Sequence, residues 1–514
     1  MLGRLARPDG VLLVTVALAA AVRFWRLGAQ ALWYDELVTT QVAARPIGDL
    51  LSAVAQREGT PPLYPLVTWA WVRLFGDSDV AIRSLSAVVG TATVPVMYAL
   101  ASRVVGTRRS ARVAALLIAV SPMAVWYSQE ARAYALLLFL GALSLLFVAR
   151  AIETRARPAP EATSSARLDL LAWGCVSAAA VMTHYFAVVL VVAEVAWFVV
   201  ASRARTRDLL RSLSIACIPF LVVLTPLVVL ALSQRSTNQQ AWIDNIPLSL
   251  RLAEAGRHFA SGPGDPDARL LVVSALCLLA AGAIVVVRGD DRERRAAAVM
   301  AALGAAGIAL PLMASVVGPD YFIGRNVITS LAPLTVAVAA GVGARRAGRP
   351  GAVAITAIGT VSLVVVIAVA TSPDLQKPDW RTLGATLGAR DVGRVVIVQD
   401  YLGTPLLRYM EGSRTLRDSE TVDVRRIDVV YHVPDVEQRC GRWSGRACEL
   451  FFFPAFPESL TSRFILGEKI SVDGFVVNRY ESAGPVRLRR RDLLGGRSRR
   501  GLVLTSRRPA RGSR

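Results

Sequence analysis

Long apolar runs, separated by short polar stretches, recur through the first two-thirds of the chain. They are about 14 to 22 residues long, and most are long enough to cross the hydrocarbon core of a bilayer as a helix. Segments such as Leu363 to Ala370 and Ala187 to Ala193 are apolar on every face, whereas strands of a membrane barrel alternate apolar and polar residues. The pattern predicts an all-α polytopic membrane protein with about eleven transmembrane helices.

The apolar run from Leu63 to Phe75 is interpreted differently. It is too short to span a bilayer, and it contains Tyr64, Trp69 and Trp71, residue types that favour the membrane–water interface. A Pro-Pro pair opens it, as is common at the first turn of a helix. We therefore predict juxtamembrane helices on the outer face over about residues 33–75. Counting this run as a span would invert every later loop.

The topology follows from that choice. Every short arginine-rich loop then falls on one side, which the positive-inside rule assigns to the cytoplasm, together with the amino end. Arg23 and Arg26 are expected to snorkel at the outer end of the first span, which could instead be a cleaved secretory signal. The predicted spans are residues 11–22, 81–102, 113–127, 134–148, 170–183, 186–201, 213–232, 270–287, 296–317, 327–342 and 352–370.

The composition changes at Thr371, which divides the chain into three predicted parts. Residues 1–370 form the transmembrane domain, and residues 371–483 form a small extracytoplasmic α/β domain. Residues 484–514, rich in Arg, Gly and Ser, are predicted to be a basic disordered tail. Within the α/β domain, helices are expected at 379–388 and 404–411, and strands at 395–398, 429–432 and 475–480.

Charge and cysteine content support this organisation. The formal net charge is +21, but most arginines sit between apolar runs or in the tail, a pattern typical of membrane orientation rather than nucleic-acid binding. Cys440 and Cys448 flank a short polar loop, and a disulfide between them is plausible if that domain is extracytoplasmic.

Several ionisable residues return to the outer face in this topology. Because charged groups at a membrane boundary are costly to desolvate unless they are paired or used, their gathering suggests a site. Structural interpretations stay open: Asp35 or Glu36 as a helix cap, Glu130 with Arg132 as an interfacial ion pair, and His184 as a satisfied interfacial histidine. His258 and His432 are interpreted as surface residues. The candidates are Asp35, Glu36, Glu58, Glu130, Arg132, His184 and Arg325.

The order of motifs resembles the polyprenyl-phosphate-dependent glycosyltransferases of the GT-C fold, the family of protein O-mannosyltransferases and aminoarabinose transferases. Thr60 departs from the family pattern, in which many members carry His before the Pro-Pro pair. The matching segments are Trp33-Tyr34-Asp35-Glu36, Gly59-Thr60-Pro61-Pro62-Leu63-Tyr64, Ala81-Ile82-Arg83-Ser84-Leu85-Ser86-Ala87, Trp126-Tyr127-Ser128-Gln129-Glu130-Ala131-Arg132-Ala133-Tyr134 and Thr183-His184-Tyr185-Phe186.

The resemblance implies transfer of a sugar from a polyprenyl-phosphate donor to a glycan, protein or lipid acceptor at the outer face of the cytoplasmic membrane. Asp35 matches the position of the general base, and Glu36 would assist or orient it. Arg132 and Arg325 are candidates to hold the phosphate. Glu58, Glu130 and His184 are candidates for sugar hydroxyls or a divalent cation, the metal pair being His184 with Glu58. Tyr64 and Tyr127 either offer aromatic faces to the sugar or the first isoprene units or belong to an interfacial aromatic belt.

Two other functions fit parts of the pattern. A transporter or lipid flippase would carry ionisable residues near mid-membrane and a two-fold repeat; Glu194, inside an apolar run, favours it. A catalytically silent relative that binds a carrier lipid is the second, although such a protein has no need of the Asp35 carboxylate.

Overall fold

The computed structural model describes residues 9–155, 162–202, 206–236, 243, 246–263, 268–318, 320–388, 393–432, 456–494 and 501–506. The chain divides into two compact units. The helical unit comprises Met1–Leu27, Val38–Asp244 and Leu248–Leu375, and the C-terminal unit comprises Gly28–Leu37, Asn245–Pro247 and Gln376–Arg514.

Most helices up to residue 371 fall on the predicted apolar runs, but the helix Leu248–Ser261 falls on none of them. The helices are α1 (Gly10–Phe24), α2 (Tyr34–Ala43), α3 (Ile47–Arg57), α4 (Leu63–Phe75), α5 (Asp79–Val104), α6 (Arg108–Val120), α7 (Pro122–Ser128), α8 (Tyr134–Arg155), α9 (Ala162–Thr183), α10 (Ala187–Ser202), α11 (Thr206–Ser236), α12 (Leu248–Ser261), α13 (Ala268–Arg288), α14 (Asp291–Val317), α15 (Leu331–Val342) and α16 (Gly348–Thr371). A 3-10 helix, Gly324–Ser330, precedes α15.

Length and composition separate the membrane-spanning candidates from the rest. Within the described ranges, eight helices are long and apolar enough to cross a bilayer, or nine if α6 and α7, bent by 55° at Ser121, form one broken span. Two shorter apolar helices are Gly10–Phe24 and Ala187–Ser202. All eleven predicted runs fall on these segments, and α4 falls on none of them. The predicted class, a polytopic helical membrane protein, is confirmed.

The relative direction of α1 and α5 bears on α4. Near one end of the pair, Tyr98 donates a hydrogen bond of 2.9 Å to Asp9. Near the other end, Arg83 donates one of 3.2 Å to the carbonyl oxygen of Leu27. The two helices are therefore antiparallel, so the chain between them returns to the end of the bundle that it left. A single crossing by α4 is incompatible with this geometry.

The arginine-rich loops gather at one end of the helical unit. Arg292 donates a hydrogen bond of 3.1 Å to the carbonyl oxygen of Arg103, and Arg103 forms an ion pair with Glu153. The backbone N–H of Arg345 donates to Glu293 at 2.9 Å. The ends of α5, α8 and α15 and the beginning of α14 therefore lie together, as the positive-inside pattern predicts.

Arg23 does not snorkel, and that prediction is wrong. Its side chain is 0% exposed and donates to the carbonyl oxygens of Ile118 at 3.1 Å and Ala119 at 2.8 Å, and to the hydroxyl of Ser128 at 3.1 Å. These carbonyls end α6 and lack intrahelical partners. A buried guanidinium is stabilised where it satisfies such groups. Arg23 therefore stabilises the bend between α6 and α7 by binding residues of both helices.

Within its described residues, the C-terminal unit forms a six-stranded sheet. Both faces are covered, since Val396 and Val398 belong to one apolar cluster and Val395 and Ile397 to another. The predicted helices and strands are present. The elements are α17 (Trp380–Leu387), β1 (Arg394–Gln399), α18 (Asp400–Tyr409), β2 (Ser413–Thr415), β3 (Thr421–His432), β4 (Ile465–Val472), β5 (Phe475–Arg489), α19 (Arg490–Leu493) and β6 (Gly501–Ser506). The strand order in the sheet is β2-β6-β1-β3-β5-β4.

The predicted disordered tail is wrong over residues 484–494 and 501–506. β5 continues to Arg489, and β6 lies inside the sheet between β1 and β2, pairing antiparallel with both. Val503 and Leu504 are 0% exposed. The burial of these two apolar side chains stabilises β6 in the sheet, although the sequence on both sides of the strand is rich in arginine. The predicted disulfide partners Cys440 and Cys448 lie outside the described residues, so their pairing stays a prediction.

The predicted boundary at residue 370 also needs correction, because Gly28–Leu37 group with the C-terminal unit. Ala31 is 1% exposed and packs in the apolar cluster of Trp380 and Leu383. The chain therefore leaves the helical unit after α1, contributes ten residues to the other unit, and returns within α2.

Candidate functional site

A buried ion pair joins two of the predicted site residues in the helical unit. Nη1 of Arg132 lies 3.0 Å from Oε2 and 3.1 Å from Oε1 of Glu58, and it also donates to Thr39 at 3.1 Å. The Glu58 side chain is 2% exposed and that of Arg132 is 11% exposed. A charge this deeply buried is tolerated because its partner is charged and well oriented.

Local structure fixes both members of the pair. Glu58 is the C-cap of α3, and its N–H donates to the carbonyl oxygen of Val54. Gln234 of α11 donates to the carbonyl oxygens of Val54 at 3.3 Å and Thr60 at 3.0 Å, so it holds the segment on both sides of Glu58. Gln234 in turn accepts a hydrogen bond of 2.9 Å from Tyr185. Sequence reasoning missed Gln234, because an amide at the end of an apolar helix carries no motif.

Tyr134 is the centre of a second group. Its ring lies 4.8 Å from that of Tyr127 and 5.9 Å from that of His184, centroid to centroid. The guanidinium carbon of Arg325 lies 5.9 Å from the same centroid, within range of a cation–π interaction. The beginning of α8, the α9–α10 loop and the 3-10 helix therefore meet at the end of the bundle away from the arginine-rich loops.

His184 is held neutral in this group. Burial is the main cause that lowers the pKa of its imidazole to about 3, and the positive charges of Arg132 and Arg325 contribute to the same shift. Nδ1 accepts a hydrogen bond of 3.3 Å from the N–H of Phe186. The proton of a neutral ring is then on Nε2. His184 can therefore donate a hydrogen bond to a substrate oxygen but does not carry positive charge at neutral pH.

Arg325 is positioned by a bidentate ion pair between Arg251 and Asp320. Arg251 of α12 is 3% exposed; it contacts both carboxylate oxygens of Asp320 and donates to the carbonyl oxygen of Phe322 at 2.8 Å. The Arg251 guanidinium lowers the pKa of Asp320. Because Phe322 lies three residues before Arg325, this pair fixes the entry to the 3-10 helix.

His258, interpreted as a surface residue, is 7% exposed, so that interpretation is wrong. Nε2 lies 3.5 Å from Glu254. Its ring sits close to Gly324: a Cβ on that glycine would be 2.6 Å from Nδ1 of His258. The i,i+4 spacing of Glu254 and His258 was the available signal, but α12 lies between polar loops, and nothing in its sequence indicated which face is buried.

The two candidate tyrosines are packed into the bundle. Tyr64 is 2% exposed and its hydroxyl lies 3.1 Å from that of Ser86. Tyr127 is 3% exposed. Glu130, in the turn between α7 and α8, is 2% exposed, and its carbonyl oxygen accepts from the N–H of Arg132 at 2.8 Å.

Asp35 and Glu36 lie in the first turn of α2, within the C-terminal unit, and their surroundings differ. Glu36 is 0% exposed; it accepts a hydrogen bond of 3.2 Å from the N–H of Trp33 and lies 3.8 Å from Nζ of Lys377. That is the arrangement of a residue that caps a helix. Asp35 is half-buried, and both carboxylates are favoured at a helix N-terminus.

The proposed metal pair receives no third ligand. Among the described residues, no group of three His, Cys, Asp or Glu side chains is placed to hold a metal ion. Glu58 is engaged by Arg132 through both oxygens, and one ring nitrogen of His184 is taken by Phe186. His184 and Glu58 therefore do not fit a metal centre in this arrangement.

These features define a polytopic helical membrane protein with a small C-terminal α/β domain. More particularly, residues 59–232 match the family model described as dolichyl-phosphate-mannose-protein mannosyltransferase. The predicted resemblance to GT-C glycosyltransferases is confirmed for this segment, which includes Arg132 and His184 and begins one residue after Glu58.

Several solved structures are similar to the chain. ArnT from Cupriavidus metallidurans, bound to undecaprenyl phosphate, is 14% identical, with 91% of this chain and 97% of that chain covered and a TM-score of 0.42. The apo oligosaccharyltransferase of Archaeoglobus fulgidus is 12% identical, with 73% and 57% covered and a TM-score of 0.48. The S. cerevisiae protein O-mannosyltransferase Pmt1-Pmt2 complex bound to the sugar donor is 18% identical, with 44% and 34% covered and a TM-score of 0.34.

The chain thus spans about a third of the yeast protein and just over half of the archaeal one. A second structure of the archaeal enzyme contains zinc and sulfate. No curated protein sequence matches the chain at a significant level.

Proposed function

We propose that this protein is an integral-membrane glycosyltransferase that transfers a sugar from a polyprenyl-phosphate donor to an acceptor hydroxyl at the outer face of the cytoplasmic membrane. The observation that carries the proposal is the buried Glu58–Arg132 pair beside Tyr134, His184 and Arg325, at the end of the bundle opposite the arginine-rich loops. Such a concentration of buried charge is costly and is typical of functional sites.

The reaction is a displacement at the anomeric carbon. The acceptor oxygen forms a bond to that carbon while the bond from the carbon to the phosphate oxygen breaks, and the phosphate leaves with the electron pair. Asp35 is the general base that takes the acceptor proton. Positive charge stabilises the departing phosphate, and Arg132 and Arg325 supply it.

The remaining groups have supporting roles. Glu58 and Thr39 hold the Arg132 guanidinium at Nη1, which fixes the guanidinium plane so that it can bind two oxygens of a phosphate group. The neutral imidazole of His184 donates to a sugar or phosphate oxygen, and Glu130 accepts from sugar hydroxyls. Glu36 orients the first turn of α2 rather than acting on the substrate.

The proposed donor class is supported by the matched family, whose description names dolichyl-phosphate mannose. The proposed acceptor is a hydroxyl group of a glycan, a protein or a lipid, and the proposed sugar is a hexose or a pentose. The outer face follows from the arginine-rich end, which the positive-inside rule places in the cytoplasm. The C-terminal unit is then extracytoplasmic.

The test uses the purified protein in lipid nanodiscs with radiolabelled polyprenyl-phosphate mannose, arabinose and related donors. Wild-type protein is expected to transfer label, and Asp35→Asn to abolish transfer while leaving donor binding intact. Asp49→Asn is the matched control, since Asp49 is an exposed carboxylate in the first turn of α3. Retained turnover in Asp35→Asn would remove Asp35 as the base, and donor binding without turnover by the wild type would favour a silent lipid-binding relative.

The transporter alternative rests on Glu194, which is 0% exposed in α10. Its Oε2 accepts hydrogen bonds from Ser144 at 2.6 Å and Trp173 at 2.8 Å. These contacts join α8, α9 and α10 and give Glu194 a structural role. The alternative predicts that Glu194→Gln impairs movement of a labelled carrier lipid across proteoliposomes, whereas the glycosyltransferase predicts that sugar transfer survives.

A further inference from the structure

One arginine of the C-terminal unit holds the segment between α1 and α2 by hydrogen bonds to its backbone. Arg381 of α17 donates from Nη2 to the carbonyl oxygens of Gly28 at 2.9 Å and Gln30 at 3.1 Å, and from Nη1 to that of Ala29 at 3.2 Å. Three successive carbonyl groups thus converge on one guanidinium. Hydrogen bonds to a charged donor are the stronger kind, and here they fix the backbone itself.

Further contacts hold the part of this segment that leads to α2. Tyr409 accepts a hydrogen bond of 2.6 Å from the N–H of Leu32, and Ala31 is packed in the apolar cluster that includes Trp380. The N–H of Lys377 donates to the side chain of Gln30 at 3.3 Å. Ordering a backbone costs conformational entropy at every residue, so contacts this dense are needed to hold the segment in one conformation.

Lys377 reaches the first turn of α2 itself. Its Nζ lies 3.8 Å from Oε2 of Glu36 and 4.7 Å from the ring centroid of Trp33. Trp33 is the residue that Glu36 caps, and Asp35 lies between the two. The side chain of Lys377 therefore contacts the residues on both sides of Asp35.

We propose that the C-terminal unit is a positioning element for the catalytic carboxylate, and that Arg381, Tyr409 and Lys377 are the residues through which it acts. The inference rests on the proposed function, in which Asp35 is the general base. A base must lie within hydrogen-bonding distance of the proton that it removes, and displacement by about 1 Å can cost about a hundredfold in rate. Residues more than 340 positions away then set the position of Asp35.

The experiment compares Arg381→Ala, Arg381→Lys and Tyr409→Phe with Arg463→Ala, which removes an exposed arginine of the same unit. Steady-state sugar transfer is measured in nanodiscs at saturating and limiting donor. We expect Arg381→Ala to lower kcat about ten- to a hundredfold with the donor KM changed less than about threefold. Arg381→Lys should recover part of the loss, and Tyr409→Phe, which keeps the ring, should lower kcat in the same direction.

A second readout does not depend on turnover. Hydrogen–deuterium exchange of a peptide covering residues 28–37 should be faster in Arg381→Ala and Tyr409→Phe than in the wild type, and unchanged in Arg463→Ala. Exchange in β1 and β3 should stay at the wild-type rate, which separates loss of these contacts from unfolding of the sheet.

Each outcome decides the matter. A kcat within twofold of wild type in both Arg381→Ala and Tyr409→Phe, or unchanged exchange over residues 28–37, overturns the inference while leaving the proposed function standing. A wild-type protein that transfers no sugar overturns the proposed function instead, and the exchange experiment still shows whether these contacts exist.

Discussion

Arg132 and Glu58, 74 positions apart in the chain, are joined through one guanidinium nitrogen that lies 3.0 Å and 3.1 Å from the two oxygens of the carboxylate. Both side chains are buried. The pair connects the end of α3 to the turn before α8, and its energetics lead to the first prediction.

Removing either partner should destabilise the protein strongly. Glu58→Met or Arg132→Met leaves an uncompensated buried charge, which costs about 3–5 kcal/mol. The double variant removes both charges and should recover much of the thermal stability without recovering sugar transfer, because the proposed phosphate contact is lost. Thermal unfolding in detergent and a transfer assay measure the two effects separately.

The matched control for this pair is Arg103 with Glu153, whose side chains are 38% and 46% exposed. Exposed pairs contribute about 0–1 kcal/mol, so Glu153→Met should leave both stability and transfer nearly unchanged. Equal losses at the two pairs would mean that burial is not what distinguishes them.

The second prediction concerns pH and His184. Its pKa of about 3 lies below the ordinary value of about 6.5. Between these two pH values the unfolded chain binds a proton that the folded protein does not. The contribution of His184 to the free energy of unfolding is therefore full above about pH 6.5 and decreases as the pH falls toward about 3. The slope attributable to this group approaches about 1.4 kcal/mol per pH unit.

Thermal unfolding from pH 8 to pH 5 is the measurement, with wild type compared with His184→Gln. The difference between their stabilities should narrow or reverse on acidification, since the variant has no imidazole to protonate. Parallel curves would show that His184 accepts a proton in the folded protein.

The third prediction follows from Gly90 of α5. A Cβ at this position would lie 2.0 Å from the hydroxyl oxygen of Ser128 and 3.0 Å from Nε of Arg23. Gly90→Ala should therefore displace the contact that fastens the α6–α7 break and destabilise the protein by about 1–3 kcal/mol. Gly282→Ala in α13, where a Cβ meets nothing within 4 Å, is the control. A Gly90→Ala variant as stable as that control would contradict the close packing.

The fourth prediction is topological. In a cysteine-free background, a membrane-impermeant thiol reagent added to intact cells should label a cysteine at Asp77, in the short turn between α4 and α5, but not one at Arg346, before α16. Both positions are exposed. Labelling of position 346 alone would invert the whole assignment, and labelling of neither would indicate that the turn is inaccessible.

The bundle was predictable from the sequence because its signal is local. An apolar run must form its hydrogen bonds within itself in lipid, so composition alone locates α5, α8 or α16. The interpretation of α4 as a non-spanning helix needed only its length and its aromatic residues. Its bounds, Leu63–Phe75, are those of the structure.

Three features could not be read from the sequence for a common reason. The attachment of residues 28–37 to Arg381, the burial of Arg23 at the α6–α7 break, and the burial of His258 all depend on partners distant in sequence. Arginine follows two physical rules at a helix end: it extends toward water, or it satisfies carbonyl groups that the helix leaves unpaired. Only the packing of α6 against α1 decides between them.

The candidate site was predicted in part. The sequence identified Glu58, Arg132, His184 and Arg325. In the helical unit, Glu58 pairs with Arg132, and His184 and Arg325 both lie near Tyr134. The sequence did not indicate which residues hold them, since Gln234 and Arg251 carry no motif of their own. Supporting contacts of this kind depend on how helices distant in sequence pack against one another.

The place of β6 has a consequence for synthesis. This strand lies between β1 and β2, yet the ribosome makes it about a hundred residues after β1. Until residue 506 has been synthesised, β1 has an unpaired edge. The nascent domain must therefore stay unfinished through most of its own translation, and a protein halted shortly before that point would be a substrate for chaperones or proteases.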